Sequence, residues 1–129
     1  MIVVDTSVWI FAIRDIDRPS TRRLHEETAR GNVLLGDVVL FEILRGARDD
    51  RHARMLENYL RRFPQAQMLD GRLATEAAAN YRRLRAVGIT ARSLADIIIA
   101  TFCIDRSHQL LHDDRDFNAM AQHLGLRLA

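Results

Sequence analysis

Short apolar runs alternate along the chain with longer segments in which apolar residues recur every three or four positions. A short β-branched or leucine-rich run is typical of a buried strand, and an apolar stripe at helical spacing is typical of an amphipathic helix. The pattern predicts strands at residues 2–4, 33–35, 67–69, 109–111 and 127–128. It predicts helices at residues 8–13, 20–31, 36–44, 50–63, 70–87, 94–104 and 117–124.

Hydroxyl and acidic residues mark the points where several of these helices begin. Thr6 or Ser7 is expected to cap the first helix and Ser20 the second, because their side chains accept from free backbone N–H groups. Ser93 is the expected cap of the apolar helix over residues 94–104. Asp96 lies three residues after Ser93, at the position of the acid in a capping box.

The alternation of strands and helices indicates an α/β sandwich built around a mostly parallel sheet. A chain of 129 residues suits one hydrophobic core rather than two, so we expect a single domain over residues 1–129. The longest apolar stretch, residues 97–104, is too short to span a bilayer, and Asp5 interrupts any signal-peptide core. We therefore expect a cytoplasmic protein with no membrane association.

Lysine is absent from the chain, so all 19 basic residues are arginines, and the formal net charge is +2. This absence excludes Schiff-base chemistry and a P-loop in their usual forms, since both need a lysine amine. The small net charge permits a nucleic-acid partner without requiring one. The single cysteine, Cys103, has apolar neighbours and is expected to be a buried small residue rather than a nucleophile.

Three carboxylates interrupt the most apolar segments of the chain. Asp5 closes the first strand, Glu42 lies within residues 38–44, and Asp96 directly precedes an isoleucine run. An unpaired buried carboxylate is costly, so each needs a polar cleft, an arginine or a cation. In open α/β sheets ligands bind beyond the carboxyl ends of the strands, where Asp114 and Asp116 follow the fourth strand. Together these acids favour a site for Mg²⁺ or Mn²⁺, which bind carboxylate oxygens.

Each acid also has a purely structural interpretation. Asp5 and Asp114 would cap helices, and Asp96 would complete a capping box. Glu42 would pair with Arg45 at helical spacing. Zinc is disfavoured, because the five histidines and one cysteine form no HExxH or CxxC motif.

Four segments together resemble the PIN-domain ribonucleases, specifically the VapC-like toxins of bacterial toxin–antitoxin pairs. They are IVVDTSV at residues 2–8, FEILRG at 41–46, LADIIIA at 94–100 and LLHDDRDF at 110–117. The resemblance implies a PIN-like three-layer sandwich whose short-stranded, mostly parallel central sheet is flanked by helices. It also implies that Asp5, Glu42 and Asp96 are the three core acids. By position, Asp114 matches the fourth acid and Asp116 an auxiliary one.

Residues close to these acids in sequence are candidates for substrate binding. Thr6 or Ser7 matches the hydroxyl residue that follows the first acid, and we assign both to substrate binding. Arg45 and Arg92 are the arginines nearest the acids in sequence and are assigned to substrate binding as phosphate contacts.

Two residues of the last motif depart from the family or lack a role in it. The family often has Thr or Ser at the position of His112, so a hydroxyl contact from that turn is missing here. Asp113 adds an acid with no clear family role, and we expect it to face solvent.

The resemblance implies a Mg²⁺- or Mn²⁺-dependent endoribonuclease that acts as the toxin of such a pair. In this chemistry two divalent ions about 3.5–4 Å apart activate a water for hydrolysis of a phosphodiester. Family members commonly pair with themselves and with an antitoxin, so we expect a homodimer and a VapB-like antitoxin besides the RNA substrate. The alternatives are a catalytically silent nucleic-acid-binding or regulatory module on this fold, and a DNA-directed phosphodiesterase.

Overall fold

A computed structural model describes residues 1–129 and contains four strands and seven helices. Along the chain they are β1 (Ile2–Val4), α1 (Thr6–Ile13), α2 (Pro19–Ala29), β2 (Val33–Gly36), α3 (Asp37–Arg45), α4 (Asp50–Leu60), β3 (Gln65–Ala66), α5 (Gly71–Ala86), α6 (Leu94–Arg106), β4 (Gln109–Leu111) and α7 (Asp116–Leu124). The predicted order of strands and helices is therefore confirmed over most of the chain.

The strands form one all-parallel sheet in the order β3-β2-β1-β4. Val3 pairs with Leu34 on one side and with Leu110 on the other, which places β1 at the centre. The backbone N–H of Asp5 donates to the carbonyl of Leu111 at 2.8 Å. The end of β1 and the turn after β4 therefore lie side by side at the carboxyl edge of the sheet.

The helices pack in two groups that flank the sheet, which gives the predicted three-layer α/β sandwich. Helices α5, α6 and α7 contact one another, while α1 contacts both α2 and α3, and α3 contacts α4. Helix α3 also contacts α6. This last contact brings together the helices that carry Glu42 and Asp96.

The core contains 27 buried apolar residues and includes every residue of β1. Trp9 anchors one end of it: the indole nitrogen donates to the carbonyl of Val4 at 3.2 Å, and the ring packs edge-on against Phe63 with centroids 5.0 Å apart. A hydrogen-bonded tryptophan in such a position fixes α1 against the strand that precedes it. No helix combines the length and the continuous hydropathy of a transmembrane span.

Two of the predicted strands are wrong in position or extent. The third strand lies at Gln65–Ala66 and pairs with β2, rather than at residues 67–69. Met68 instead fills the core beside Gly36, and its backbone N–H donates to Asp37 Oδ1 at 2.9 Å. At the end of the chain only Leu128 forms a single parallel bridge, to Leu110.

The predicted helix caps are also corrected. Asp5, not Thr6 or Ser7, is the N-cap of α1, because its side chain accepts the backbone N–H of Ser7. Ser93 is the N-cap of α6, as predicted, but its side chain makes no capping hydrogen bond. Ser20 lies inside the first turn of α2, whose N-cap is Arg18.

Candidate active site

Three carboxylates meet at the carboxyl edge of the sheet. Asp96 lies in the first turn of α6, Asp114 in the turn after β4 and Asp116 at the start of α7. One carboxylate oxygen from each lies within 4.8 Å of the other two. Asp114 Oδ1 also accepts the backbone N–H of Asp116 at 2.9 Å, in the turn that leads into α7, whose N-cap is Arg115 rather than the predicted Asp114.

Asp5 lies at the same edge of the sheet, and only one of its two carboxylate oxygens accepts hydrogen bonds. Its side chain is buried, and Oδ2 accepts from Ser7 twice, from the backbone N–H at 3.0 Å and from the hydroxyl at 2.6 Å. Oδ1 is buried without any hydrogen-bond partner. Buried polar atoms in folded proteins nearly always have a partner, so this oxygen is a candidate ligand atom.

Glu42 is oriented by Thr6 rather than by an arginine. The Thr6 hydroxyl donates to Glu42 Oε1 at 2.6 Å. The nearest nitrogen of Arg45 lies 3.9 Å from Oε2, beyond hydrogen-bond distance, and this arginine is largely exposed. An exposed pair at that distance contributes little, so the proposed ion pair does not account for Glu42.

Electrostatic repulsion couples the five acids into one group. The pKa of Asp96 is raised to about 7, mainly by burial and then by the charges of Asp5, Asp114, Glu42 and Asp116, in that order of size. The pKa of Asp5 is also raised, mainly by burial, although its bonds from Ser7 act in the opposite direction. Negative charges gathered around two partly or fully buried carboxylates favour a bound cation at neutral pH.

The donor set fits a hard divalent cation. Every candidate ligand is a carboxylate oxygen, and Asp5 Oδ1 lacks any other partner. The Nδ1 atom of His112 is occupied, since it accepts the backbone N–H of Asp114 at 3.1 Å. The His112 ring packs against Phe117 with centroids 5.3 Å apart, so this residue supports the turn.

A cleft of about 430 Å³ opens beside the acids, and it contains Arg92 and Arg115 as well as Asp96 and Asp116. Neither arginine forms an ion pair with the acids of the cleft, which leaves both guanidinium groups free for a phosphate. Arg45 is absent from this cleft and lies over the ring of Phe41 at 5.8 Å. Arg115 was not among the predicted substrate-binding residues, although its place between two acids of the last motif was a usable signal.

The expectation that Asp113 faces solvent is wrong. Its side chain is 18% exposed and forms a two-pronged ion pair with Arg18, in which Nη2 lies 2.7 Å from Oδ1 and Nε donates to Oδ2. The hydroxyl of Ser20 donates to the same Oδ2 at 2.6 Å. The hydrogen bonds from Arg18 hold the pKa of Asp113 below its usual value.

Comparison with known proteins identifies the family and agrees with the fold. The PIN domain family model matches residues 2–122. The chain is 35% identical to VapC ribonuclease Mb1587 of Mycobacterium bovis and to ribonuclease VapC11 of Mycobacterium tuberculosis, over the full chain and 98% of each relative. A crystal structure of VapBC2 from Rickettsia felis, bound to a DNA fragment from their promoter, matches with a TM-score of 0.79. That match has 19% identity and covers 100% of this chain and 98% of the other. With its strand order, its acids and these matches taken together, the chain belongs to the PIN domain family, among the VapC ribonucleases.

Proposed function

We propose that the protein is a divalent-metal-dependent endoribonuclease and the toxin of a toxin–antitoxin pair. One observation carries the proposal: Asp5 Oδ1 is buried without a partner in a group of five mutually repelling carboxylates. The curated relatives at 35% identity are named ribonucleases, which gives the substrate class. Mg²⁺ and Mn²⁺ are the cations that this all-carboxylate set suits best.

The chain's own residues divide into those that would hold the cation and those that would hold RNA. Asp5, Glu42, Asp96, Asp114 and Asp116 are the proposed ligands. When bound, such cations activate water and stabilise the charge that develops on a phosphodiester during hydrolysis. The products expected from this cleavage carry a 3′-hydroxyl and a 5′-phosphate.

In this proposal the hydroxyl residues orient the carboxylates, and the arginines bind the phosphates of RNA. Thr6 and Ser7 donate to Glu42 and Asp5, so these carboxylates have fixed orientations before any ligand binds. The substrate contact assigned to Thr6 and Ser7 from the sequence stays a prediction. Arg92 and Arg115 lie in the same cleft as Asp96 and would bind the phosphates on either side of the cut.

We also infer that the toxin pairs with a VapB-like antitoxin and with a second copy of itself. Solved VapBC assemblies share this fold, and the curated relatives share the family. Exposed apolar residues supply surface for such contacts, for example Leu94, which is 72% exposed beside an apolar groove between α5 and α6. Because cellular RNA is the proposed substrate, we place the activity in the cytoplasm.

The decisive experiment incubates purified, antitoxin-free protein with total cellular RNA in Mg²⁺ or Mn²⁺ and maps the ends of any fragments. We expect cuts with 5′-phosphate ends that disappear in excess EDTA and in the Asp5→Asn variant. Parallel incubation with single-stranded DNA separates a ribonuclease from a DNA-directed phosphodiesterase. Absence of cleavage of either polymer would favour the silent nucleic-acid-binding module.

A further inference from the structure

Asp113 lies in the last acidic motif, but its side chain takes no part in the acid cluster. It bonds instead to Arg18 and Ser20, which lie 95 and 93 residues away in sequence at the start of α2. The guanidinium of Arg18 also stacks on the ring of Phe11, 4.7 Å from its centroid. The turn after β4 is therefore fastened to α2 and, through Phe11, to α1.

The backbone of Asp113 is connected to Asp5 through the side chain of Ser7. The N–H of Asp113 donates to Ser7 Oγ at 3.1 Å, and Ser7 Oγ donates to Asp5 Oδ2 at 2.6 Å. A serine hydroxyl has one proton, so an N–H arriving at its oxygen directs that proton towards the carboxylate. The backbone N–H of Asp113 thus helps to orient the Ser7 hydroxyl, which binds Asp5 Oδ2 together with the Ser7 N–H and leaves Oδ1 without a partner.

We propose that Asp113 is a positioning residue that fixes the acids of the β4–α7 turn relative to Asp5, through Arg18 and Ser20 on one side and Ser7 on the other. This inference rests on the proposed function of the acid cluster as a cation site. Asp114 is the next residue and Asp116 follows it, so a shift of the turn would move two proposed ligands together. Groups that orient metal ligands commonly alter metal affinity or activity about 10–100-fold when they are removed.

The test compares Asp113→Asn with a control variant that breaks a similar ion pair away from the site. Arg72 and Asp105 form such a pair, with two nitrogen–oxygen distances of 2.7 and 2.9 Å and a comparable exposed fraction of the carboxylate. Thermal melting with chelator measures the structural cost of each variant. The Kd for Mn²⁺ is obtained from the loss of the electron paramagnetic resonance signal of free Mn²⁺. This affinity depends on how the acids are placed, and it is measured without RNA.

We expect both variants to lose some thermal stability, while only Asp113→Asn weakens Mn²⁺ binding, by about tenfold or more. On RNA the same variant should lower kcat by a similar factor and leave KM within about twofold, because Asp113 touches no substrate. Equal Mn²⁺ affinity and equal kcat for Asp113→Asn and Asp105→Asn would overturn the proposal. If wild-type protein cleaves no RNA, the proposed function fails, and the Mn²⁺ titration still decides the role of Asp113.

Two further variants test whether Asp113 acts through Arg18 and through Ser7. Arg18→Gln removes the ion pair from a side chain that is 43% exposed, so folding should survive, and it should reproduce the loss of Mn²⁺ affinity. Ser7→Ala breaks the other end of the connection. If Asp113 acts through Ser7, the double variant of Asp113→Asn and Ser7→Ala should bind Mn²⁺ no more weakly than the worse single variant. Fully additive losses would show that Asp113 does not act through Ser7.

Discussion

Replacing Asp96 by Asn should make the metal-free protein more stable at pH 8. Burial and four neighbouring acids raise the pKa of Asp96 to about 7, from an ordinary value of 3.8. The ionised form therefore costs folding free energy above pH 7. The cost shrinks as the pH falls towards 4, where the group is protonated in the folded state and increasingly protonated in the unfolded state. Asparagine has nearly the same shape and carries no charge at any pH.

The size of the gain follows from the pKa gap and the exposure of the group. A gap of about 3 pKa units corresponds to about 4 kcal/mol if nothing screens the charge. Asp96 is only partly buried, and water screens it, so we reduce the expectation to about 1–2 kcal/mol. For a chain of this size that is a rise of about 3–8 °C in Tm.

The assay is thermal melting of both proteins in EDTA at pH 8 and pH 5, followed by a Mn²⁺ titration at pH 8. The advantage of Asp96→Asn should shrink at pH 5. Saturating Mn²⁺ should raise the Tm of wild type, because a ligand at one hundred times its Kd stabilises the folded state by about 2.7 kcal/mol. The variant lacks one proposed ligand and should respond weakly.

Asp105→Asn is a control for which we expect the opposite change in Tm. Hydrogen bonds from Arg72 lower the pKa of Asp105 to about 2, so its charge stabilises the fold above pH 4 and this contribution is lost as the pH falls through 2. Its replacement should therefore lower Tm at pH 8. If Asp96→Asn also lowers Tm at pH 8, and Mn²⁺ stabilises that variant as much as wild type, Asp96 is a structural residue and the reasoning fails.

Three other perturbations test separate parts of the structure. Arg92→Ala should weaken RNA binding more at low than at high salt, since a phosphate contact acts through counterion release; parallel curves in a salt titration would contradict this. Gly36→Ala should destabilise the fold by about 1–3 kcal/mol in urea unfolding, because its Cβ would meet the fully buried side chain of Met68, and an unchanged midpoint would count against that packing. Cys103 is buried and its pKa is raised to about 12, so iodoacetamide at pH 8 should leave the native protein unmodified while alkylating it in denaturant.

Local pattern was sufficient to predict most of the fold. The predicted strands at residues 2–4 and 109–111 coincide with β1 and β4. β1 reads as continuously apolar because an interior parallel strand is buried on both faces, and β4, at the end of the sheet, keeps the apolar pair Leu110 and Leu111. The third strand was misplaced because Met68 is apolar for a different reason: it fills the space beside Gly36. A single sequence does not distinguish a core side chain from a strand residue over so short a run.

In the candidate site, features that depend on neighbouring residues were predictable from the sequence, and contacts between distant segments were not. Acids inside apolar segments are visible in sequence because their burial is costly, and this singled out Asp5, Glu42 and Asp96. The role of Asp113 was not visible, since its partners Arg18 and Ser20 lie more than 90 residues away and no local pattern links them. Pairings over such distances depend on the tertiary packing of α2 against α1 and β2.

The strand order has a consequence for when the protein becomes able to act. β1 is the first element made and β4 the last strand, and they are neighbours in the sheet, with β4 at its end. A chain that has been synthesised only as far as residue 108 lacks β4, Asp114 and Asp116, although Asp5, Glu42 and Asp96 are already present. Pairing between segments so far apart in sequence is slow, because a long loop must close before the contacts form. We therefore expect the nascent chain to have no nuclease activity until synthesis has passed the last acidic motif.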